Sequence, residues 1–254
     1  MKLVSYNLNG IRAAVKKGLV DWIAENNFDF VGIQETKAWE VDIPKELFEA
    51  IGYQTYWYSA QKKGYSGVGI LSKVEPDKVE VGCGHELYDY EGRVIRADYG
   101  DLTVLCIYFP SGSSGDVRQG IKMEFLEYMQ NWINDLKKER PNLIIMGDYN
   151  IANHEIDVYN PDRAKKQSGF LPVERAWLDT WFDNGFIDAF RYKNPEKQEF
   201  SWWSYRRSNR QYNRGWRIDY QSVSENMKDK IKECYQMTDV VHSDHCPVYL
   251  EIEI

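Results

Sequence analysis

The chain has 254 residues, of which 43% are hydrophobic and 28% are charged, so it can bury a sizeable core and is not disordered as a whole. Its 32 Lys and Arg residues against 39 Asp and Glu residues give a formal charge of −7. At first sight this argues against a nucleic-acid partner, because phosphates are bound mainly by Lys and Arg. No run approaches the roughly 18 apolar residues of a membrane span, and the N-terminus lacks the features of a signal peptide, so no membrane association and a cytoplasmic location are expected.

Short strands recur along the predicted chain. Nine runs are either continuously apolar or alternate between apolar and polar residues, which is typical of sheets buried between other layers. They lie at 2–7, 29–35, 54–59, 67–73, 93–99, 102–109, 143–148, 216–223 and 247–254.

A few helices separate these strands. The clearest spans 121–139, where apolar residues recur at helical spacing before Pro141, and shorter helices are predicted at 16–26 and 172–184. No linker or low-complexity tract interrupts the pattern, so we expect one domain over residues 1–254. Strands interspersed with a few helices predict an α/β layered sandwich.

The Cys and His residues restrict the kind of metal site. The four cysteines form no CxxC pair and are interpreted as reduced and structural. With only four His in the chain, a site made of several His is nearly excluded. Any metal would be held mainly by oxygen ligands, which favours Mg²⁺ or Mn²⁺ over Zn²⁺.

Polar residues cluster at the ends of the apolar strands, where layered sheet proteins commonly build a site. Any one of them is most simply a turn former, but this explanation is poor for six strand ends together. The residues are Asn7, Asn9, Gln34, Glu35, Tyr108, Asp148, Asn150, Asp219, Asp244 and His245.

Nine motifs in a fixed order carry a family resemblance that spans nearly the whole chain. They are SYNLNGIRA (5–13), IQETK (33–37), KGYSGVGILSK (63–73), EGRVIRADYG (91–100), GDYNIA (147–152), SGFLPVERAW (168–177), WWSYR (202–206), GWRIDY (215–220) and SDHCPV (243–248). In these motifs the sequence resembles the exonuclease III family of abasic-site (AP) endonucleases, within the endonuclease/exonuclease/phosphatase superfamily that also contains DNase I.

The resemblance implies a four-layer αββα sandwich of two packed mixed sheets flanked by helices. It also implies a monomeric, Mg²⁺-dependent nuclease, with Mn²⁺ as a substitute metal. Such an enzyme hydrolyses the phosphodiester 5′ to abasic sites in double-stranded DNA and removes 3′ blocking groups. Its 3′-end activities include 3′→5′ exonuclease and 3′-phosphatase or phosphodiesterase action. The lack of an N-terminal extension suggests a bacterial-type protein.

The same resemblance implies roles at a metal. Glu35 matches the metal-binding Glu of the family, Asn7 lies beside the metal or the phosphate, and Asp244 faces the metal directly or through water. A hard-oxygen set of this kind suits Mg²⁺. The residues expected at the metal are Asn7, Glu35, Asp148, Asn150, Asp244 and His245.

Five residues are expected to take part in catalysis. Asp148 and Asn150 alternate, so in an extended segment both side chains project to one side. The resemblance implies that Asp148 transfers a proton and that Asn150 orients the water or stabilises the transition state. Asp219 is expected to fix the tautomer of His245, which either binds the phosphate as an imidazolium or acts as the base, so the base is either Asp148 or His245. Tyr108 either donates its hydroxyl to the phosphate or, if ionised, stabilises charge.

A basic and aromatic segment at 200–220 is the predicted DNA surface. Five arginines (206, 207, 210, 214 and 217) against Asp219 alone give it a charge of +4, and aromatic residues lie between them. The resemblance places Trp202, Trp216 and Ile218 around a pocket for the extruded abasic sugar, which is cheap to unstack. The residues expected to contact DNA are Tyr65, Arg93, Ser111, Trp202, Trp216, Arg217 and Ile218.

Two positions depart from the family pattern. Ser111 stands where many relatives have an amide residue that contacts the scissile phosphate, so the balance between abasic-site incision and 3′-end processing stays open. Asn9 replaces a metal-facing Asp and is not counted among the ligands. Two other functions remain as alternatives: a phosphatase acting on a lipid or sugar phosphate, and a non-catalytic nucleic-acid-binding relative.

Overall fold

The computed structural model describes residues 1–205 and 208–254, and within them two six-stranded sheets pack face to face. The first sheet has the order β11-β12-β1-β2-β4-β3. Its strands are β1 (Lys2–Asn7), β2 (Phe30–Gln34), β3 (Gln54–Tyr58), β4 (Val68–Ser72), β11 (Ile231–Gln236) and β12 (Val248–Ile252). The second sheet has the order β5-β6-β7-β8-β10-β9. Its strands are β5 (Lys78–Val81), β6 (Val94–Tyr99), β7 (Leu102–Tyr108), β8 (Asn142–Asp148), β9 (Phe186–Asp188) and β10 (Asp219–Ser224).

Helices flank the two sheets. They are α1 (Ile11–Lys16), α2 (Leu19–Asn26), α3 (Lys45–Glu49), α4 (Glu86–Tyr90), α5 (Asp116–Glu139), α6 (Pro161–Ala164), α7 (Pro172–Asp183) and α8 (Ala189–Lys193), with short 3-10 segments at Glu40–Asp42, Glu155–Asp157 and Glu225–Lys230. The four-layer αββα sandwich is therefore confirmed. Within the described residues, no helix combines the length and apolar character needed to cross a membrane.

Three apolar clusters correspond to these layers. Between the sheets, Phe30 and Leu250 of the first sheet share a cluster with Ile144 and Met146 of the second. A second cluster joins α1, α2 and α3 to the outer face of the first sheet, and a third joins α5 and α7 to the outer face of the second sheet. Burial of these faces explains why most strands read as almost continuous apolar runs.

All nine predicted strand regions contain a strand, but three further strands were not predicted. The edge strand β5 has the sequence KVEV and only half-buried or exposed residues, β9 has three residues, and β11 contains charged residues and a register shift. The region predicted from residue 216 forms its strand only from Asp219, because Trp216 instead makes isolated bridges to Trp202 and Val158.

Two of the three predicted helices differ from the observed ones at their N-terminal ends, while the third, α7, begins at Pro172 as predicted. The helix predicted over 16–26 is two helices, which meet at Gly18, whose φ of 92° is left-handed and favours glycine. The long helix α5 begins at Asp116, one turn or more before its predicted start, because its first turn is polar and carries no apolar periodicity.

Strand pairing brings the polar strand ends to one rim of the sandwich. The parallel pair β1–β2 sets Asn7 opposite Gln34, and the parallel pair β7–β8 sets Tyr108 opposite Asp148. Asp219, on the antiparallel neighbour β10, lies opposite Asp148. The carboxyl ends of four strands therefore meet where the two sheets face each other.

Candidate active site

The Asn7 side chain joins the two sheets at this rim. Its amide nitrogen donates to Glu35 Oε1 at 2.9 Å and to Asp148 Oδ2 at 2.8 Å, and its amide oxygen accepts from the backbone nitrogen of Asn9. The residue is fully buried. Because Glu35 follows the first sheet and Asp148 ends the second, this amide fixes the distance between the two carboxylates.

Glu35, Asp148 and His245 form a cluster that can hold a metal ion. One potential ligand atom from each lies within 4.8 Å of the others. Two carboxylates and one imidazole, largely buried, form a donor set that fits a divalent cation. A cation here would also compensate buried negative charge that the protein alone leaves only partly balanced.

Lys37 supplies part of that balance for Glu35. Its ammonium lies 2.7 Å from Glu35 Oε2. Burial alone would raise the pKa of the Glu35 carboxyl, but the charge of Lys37 and the hydrogen bonds from Lys37 and Asn7 outweigh it, so this pKa lies below its ordinary value. Glu35 is therefore ionised and available as a ligand.

Asp148 lies in a tight turn with Asn150. The Asn150 backbone nitrogen donates to Asp148 Oδ1 at 2.8 Å, and the Asn150 amide nitrogen donates to Asp148 Oδ2 at 3.3 Å. Asn150 has a left-handed φ of 53°, so the expectation of an extended segment is wrong, although the two side chains do meet. Burial, followed by the charges of Asp219 and Glu35, raises the pKa of Asp148.

His245 and Asp219 form the expected pair. His245 Nδ1 lies 2.9 Å from Asp219 Oδ2, which also accepts a 2.6 Å hydrogen bond from the Ser201 hydroxyl. Burial lowers the pKa of His245, but the adjacent Asp219 and then Asp148 raise it more, so the net direction is upward. His245 Nε2 is thereby left facing Asp148 Oδ2, at 4.0 Å.

The Tyr108 hydroxyl also reaches the cluster. Burial, together with the charges of Glu35 and Asp148 and a hydrogen bond to Glu35, raises the pKa of Tyr108 well above its ordinary value. The phenol is therefore neutral, and of the two predicted roles the geometry favours donation of a hydrogen bond over stabilisation of charge by an ionised hydroxyl.

Asp244 lies outside the cluster formed by Glu35, Asp148 and His245. Its Oδ1 accepts from the Asn9 amide at 2.9 Å, and its Oδ2 accepts from Trp202 Nε1 at 3.1 Å. A direct metal bond for Asp244 stays a prediction, as do the metal-facing roles of Asn7 and Asn150. What Asp244 does in this structure is connect Asn9 at the end of the first sheet to Trp202.

An aromatic cluster adjoins the His245–Asp219 pair, where the sequence predicts a sugar pocket. Trp202 and Trp216 meet edge to face with centroids 6.4 Å apart, and the Trp202 ring is 6.3 Å from the His245 ring. Ile218 and Phe170 belong to the same apolar cluster. The structure therefore brings together the three residues predicted to line a sugar pocket. It adds Phe170, which the SGFLPVERAW motif contained without an assigned role.

Arg217 is wrongly predicted as a DNA contact. The residue is fully buried, its guanidinium bonds both oxygens of Asp157, and its Nη1 lies 2.8 Å from Asp188. The positive charge is thus used within the protein, where it offsets two carboxylates, and is not presented to a ligand.

Arg93 is wrongly predicted in the same way. It is 1% exposed, and its guanidinium donates to Glu91, to the Tyr108 carbonyl and to the Tyr65 hydroxyl. Arg93 therefore supports the end of β7 from inside the protein. Tyr65 is only partly buried, so its DNA contact stays a prediction.

The other arginines of the 200–220 segment differ from one another in what they contact. Arg206 and Arg207 lie outside the described residues. Arg210 packs on Trp203 and donates to backbone carbonyls of residues 238–245, which organises the loop before His245. Arg214 packs against Tyr159 and Tyr212 at the surface.

Ser111 lies in the loop before α5, where its hydroxyl is 2.9 Å from that of Ser113. Its predicted contact with the phosphate stays a prediction. Three polar residues of the site were not predicted at all: Lys37, Lys122 and Ser201. Lys37 stands in the IQETK motif, and Lys122 lies three residues before Phe125 on the apolar face of α5, where a charged residue signals a buried partner.

Two packed sheets with carboxylates and an imidazole at their common rim define the class of the protein. It is a metal-dependent phosphodiester hydrolase. The chain belongs to the Endonuclease/Exonuclease/phosphatase family, whose sequence profile matches residues 4–245.

Known proteins resemble the chain over its full length. It is 40% identical to an exodeoxyribonuclease of Bacillus subtilis, with all of both chains covered, and 35% identical to the DNA repair nuclease APEX1 of Danio rerio, of which 83% is covered. Among solved structures, an AP endonuclease from Archaeoglobus fulgidus has a TM-score of 0.92 at 27% identity, with both chains fully covered. The 3′ phosphatase NExo from Neisseria, bound to a product DNA hairpin, has a TM-score of 0.93 at 26% identity, again with full coverage of both chains.

Proposed function

We propose that the protein is a DNA repair nuclease that hydrolyses the phosphodiester 5′ to abasic sites in duplex DNA and processes blocked 3′ ends. The observation that carries the proposal is the aromatic cluster of Trp202, Trp216 and Phe170 directly beside the His245–Asp219 pair, which would form the wall of a sugar pocket, called the aromatic pocket below. A nucleotide without a base is cheap to unstack and fits a pocket that selects by shape. The relatives named as an exodeoxyribonuclease, AP endonuclease and 3′ phosphatase support the same substrate class.

Glu35, in its cluster with Asp148, would hold the metal, which we propose to be Mg²⁺ with Mn²⁺ as a substitute, while the third member of the cluster, His245, keeps its Nε2 for the phosphate. When bound, such an ion supplies positive charge that neutralises the phosphoryl oxygens. Carboxylate-rich sites favour these hard cations.

We assign the proton transfer to Asp148. Both of its oxygens are oriented by hydrogen bonds, Oδ2 from Asn7 and Asn150 and Oδ1 from the Asn150 backbone, so the carboxylate is held in one position. A carboxylate that is buried and oriented in this way can accept the proton of the attacking water. The Asn150 amide contributes to the same position by holding the turn.

His245 is then left to bind the phosphate. Because Nδ1 is engaged by Asp219, Nε2 is the atom that points into the site, and an imidazolium there donates to a phosphoryl oxygen. Tyr108, held neutral at the end of β7, donates to the same charge.

The proposal is tested on duplex oligonucleotides that carry an abasic analogue, a 3′-phosphate or a recessed 3′-hydroxyl, with Mg²⁺ or EDTA. We expect incision 5′ to the analogue in Mg²⁺ alone, and a loss on the order of 10²–10⁴ in Asp148→Asn. Asp98→Asn is the matched control, since Asp98 is also a buried carboxylate of the second sheet but lies at the far end of its strand, paired with Arg96. The relative rates on the three substrates report whether Ser111 shifts the balance towards 3′ ends.

Four results contradict parts of this assignment. Cleavage that survives EDTA contradicts the metal requirement, and full activity of Asp148→Asn contradicts the role of that carboxylate. Tight DNA binding with no cleavage supports a non-catalytic binding protein, and release of phosphate from a sugar or lipid phosphate without action on DNA supports a phosphatase.

A further inference from the structure

A buried ion pair lies directly behind the active site. The side chains of Lys122 on α5 and Glu174 in the first turn of α7 are fully buried, and their charged atoms are 2.6 Å apart. Pairs of this kind gain little net stability, because desolvation offsets most of the attraction. Such a pair can instead fix the position of the groups that its two side chains contact.

Lys122 holds the turn formed by residues 148–150, called here the catalytic turn. Its ammonium donates to the backbone oxygen of Asn150 at 2.9 Å. Asn150 is the left-handed residue whose backbone and side chain both donate to Asp148. A strained turn persists only where its surroundings fix it, and Lys122 is one such constraint.

Glu174 holds the loop beside the aromatic pocket. Its Oε2 accepts from the backbone nitrogens of Gly169 at 2.7 Å and Leu171 at 2.9 Å, and its Oε1 accepts from Ser168 as well as from Lys122. Phe170, between the two bonded nitrogens, packs edge to face on Trp216. Glu174 therefore fixes the segment that carries one wall of the pocket.

The two segments also touch each other. The Ala152 nitrogen donates to the Gly169 oxygen at 2.8 Å. A Cβ on Gly169 would lie 3.0 Å from the Asn150 oxygen and 3.2 Å from the Trp216 ring, and its φ of +95° favours glycine. The catalytic turn and the pocket wall are thus in contact, and Lys122 and Glu174 clamp them from behind.

We propose that the buried Lys122–Glu174 pair is a positioning device that fixes the catalytic turn and the wall of the aromatic pocket relative to each other. Through it, the two residues determine turnover on abasic DNA. The inference rests on the proposed function for its kinetic consequence, whereas its structural consequence is independent of the substrate.

The kinetic test uses Lys122→Met, Glu174→Gln and the double variant on an abasic duplex. We expect each to lower kcat about 10- to 100-fold with KM changed less than about threefold, because a small displacement of a catalytic group is costly. The double variant restores charge balance, so we expect it to recover Tm while kcat stays low. A purely structural role predicts instead that kcat recovers along with Tm, and that result would overturn the proposal.

The control is a remote ion pair in the second sheet. Arg96 and Asp98 are mostly buried and paired at 2.6 Å on β6, near the start of β7 rather than its end. The double variant Arg96→Met with Asp98→Asn should lower Tm and leave kcat unchanged. Equal losses of kcat in the two double variants would mean that the loss of any buried ion pair lowers kcat, and that Lys122 and Glu174 have no specific positioning role.

Hydrogen exchange separates this inference from the proposed function. In Lys122→Met, the amides of residues 150–153 and 168–171 should exchange at least about tenfold faster together, whatever substrate the enzyme uses. If the wild type fails to cut abasic DNA but both segments loosen together, the proposed function is wrong and the positioning role stands. If exchange rises in one segment alone or in neither, the coupling is wrong even where the enzyme is active.

Discussion

At the scale of single residues, the pocket beside His245 makes a prediction about selectivity. Trp216 packs against both Trp202 and Phe170, so Trp216→Ala opens the pocket. Truncating an aromatic that contacts a nucleotide costs about 1–3 kcal/mol. We expect affinity for the abasic duplex to fall about tenfold or more, and affinity for intact duplex to change less than about threefold.

The measurement is fluorescence anisotropy with labelled duplexes in EDTA, which prevents cleavage. Trp132→Ala serves as the control, since Trp132 is a partly buried Trp that packs on the outer side of the second sheet. Equal losses of affinity on both duplexes in Trp216→Ala would show that this ring supports general DNA binding and does not form a selective pocket.

Residue identity could be predicted from sequence, but side-chain direction could not. The polar strand ends, Glu35, Asp148 and the Asp219–His245 pair, follow from strand endings and motif order. Arg217, in the basic segment, and Arg93, in the EGR motif, are misassigned because a positive charge looks the same in the sequence whether it faces solvent or a buried carboxylate. Their partners, Asp157 and Glu91, are distant or unremarkable in the sequence, so only the folded chain reveals them.

At the scale of elements, the apolar strands and the long helix were predictable because strands buried on both faces and the apolar face of an amphipathic helix both give a strong signal. The strands β5, β9 and β11 were missed for the opposite reason. They lie at the edges of the sheets, where one side has no neighbouring strand and polar residues are tolerated. The site itself lies between central strands, so these errors at the edges did not affect its prediction.

Asp157 links several elements, so we expect its replacement to lower the stability of the protein. From the 3-10 segment Glu155–Asp157 its carboxylate binds Arg217, which precedes β10, and Arg191 of α8. Burial raises the pKa of Asp157, but Arg217 and Arg191 outweigh it and lower this pKa to about 2. Removing one partner of a buried pair costs about 3–5 kcal/mol, so Asp157→Asn should lower the free energy of unfolding by that amount at pH 7.

The sign of the pH dependence follows from the lowered pKa. The carboxylate contributes stability above the pKa of the unfolded chain, and this contribution is lost as the pH falls towards 2. The gap between wild type and Asp157→Asn in urea unfolding should therefore narrow by about 1 kcal/mol from pH 7 to pH 3. The control is Asp135→Asn, which removes an exposed pair with Lys138 and should change stability by less than about 1 kcal/mol. A gap that widens on acidification would contradict the ion-pair explanation.

At the scale of the whole molecule, DNA binding by a protein of net charge −7 requires a local basic surface. The segment 200–220 supplies less of that surface than its sequence suggests. The segment 200–220 carries +4 by count, but Arg217 is buried between carboxylates and Arg210 bonds backbone carbonyls. The basic face there is consequently narrower than the count suggests. Exposed positive charge for the DNA backbone must come partly from elsewhere on the rim.

The loop that carries Lys62 and Lys63 is the best-placed source of that charge. It leads into Ser66 and Gly67, whose carbonyls accept from the backbone nitrogens of Lys37 and Thr36, directly after Glu35. Lys62 packs over the Tyr65 ring and Lys63 over the partly exposed ring of Trp39. Within the described residues neither lysine forms an ion pair with a carboxylate, so both ammonium groups are available to phosphates.

Salt dependence of binding tests this distribution of charge. Each phosphate contact contributes about −0.9 to the slope of log K against log salt concentration, so Lys62→Ala with Lys63→Ala should reduce the slope by about 2. Affinity should fall about equally on abasic and intact duplexes, because backbone contacts carry no information on the missing base. Lys138→Ala removes an exposed lysine from the end of α5 and should leave the slope unchanged. A slope that responds to Lys138 as strongly as to Lys62 and Lys63 would mean that DNA is attracted by the overall charge of the protein and not by this rim.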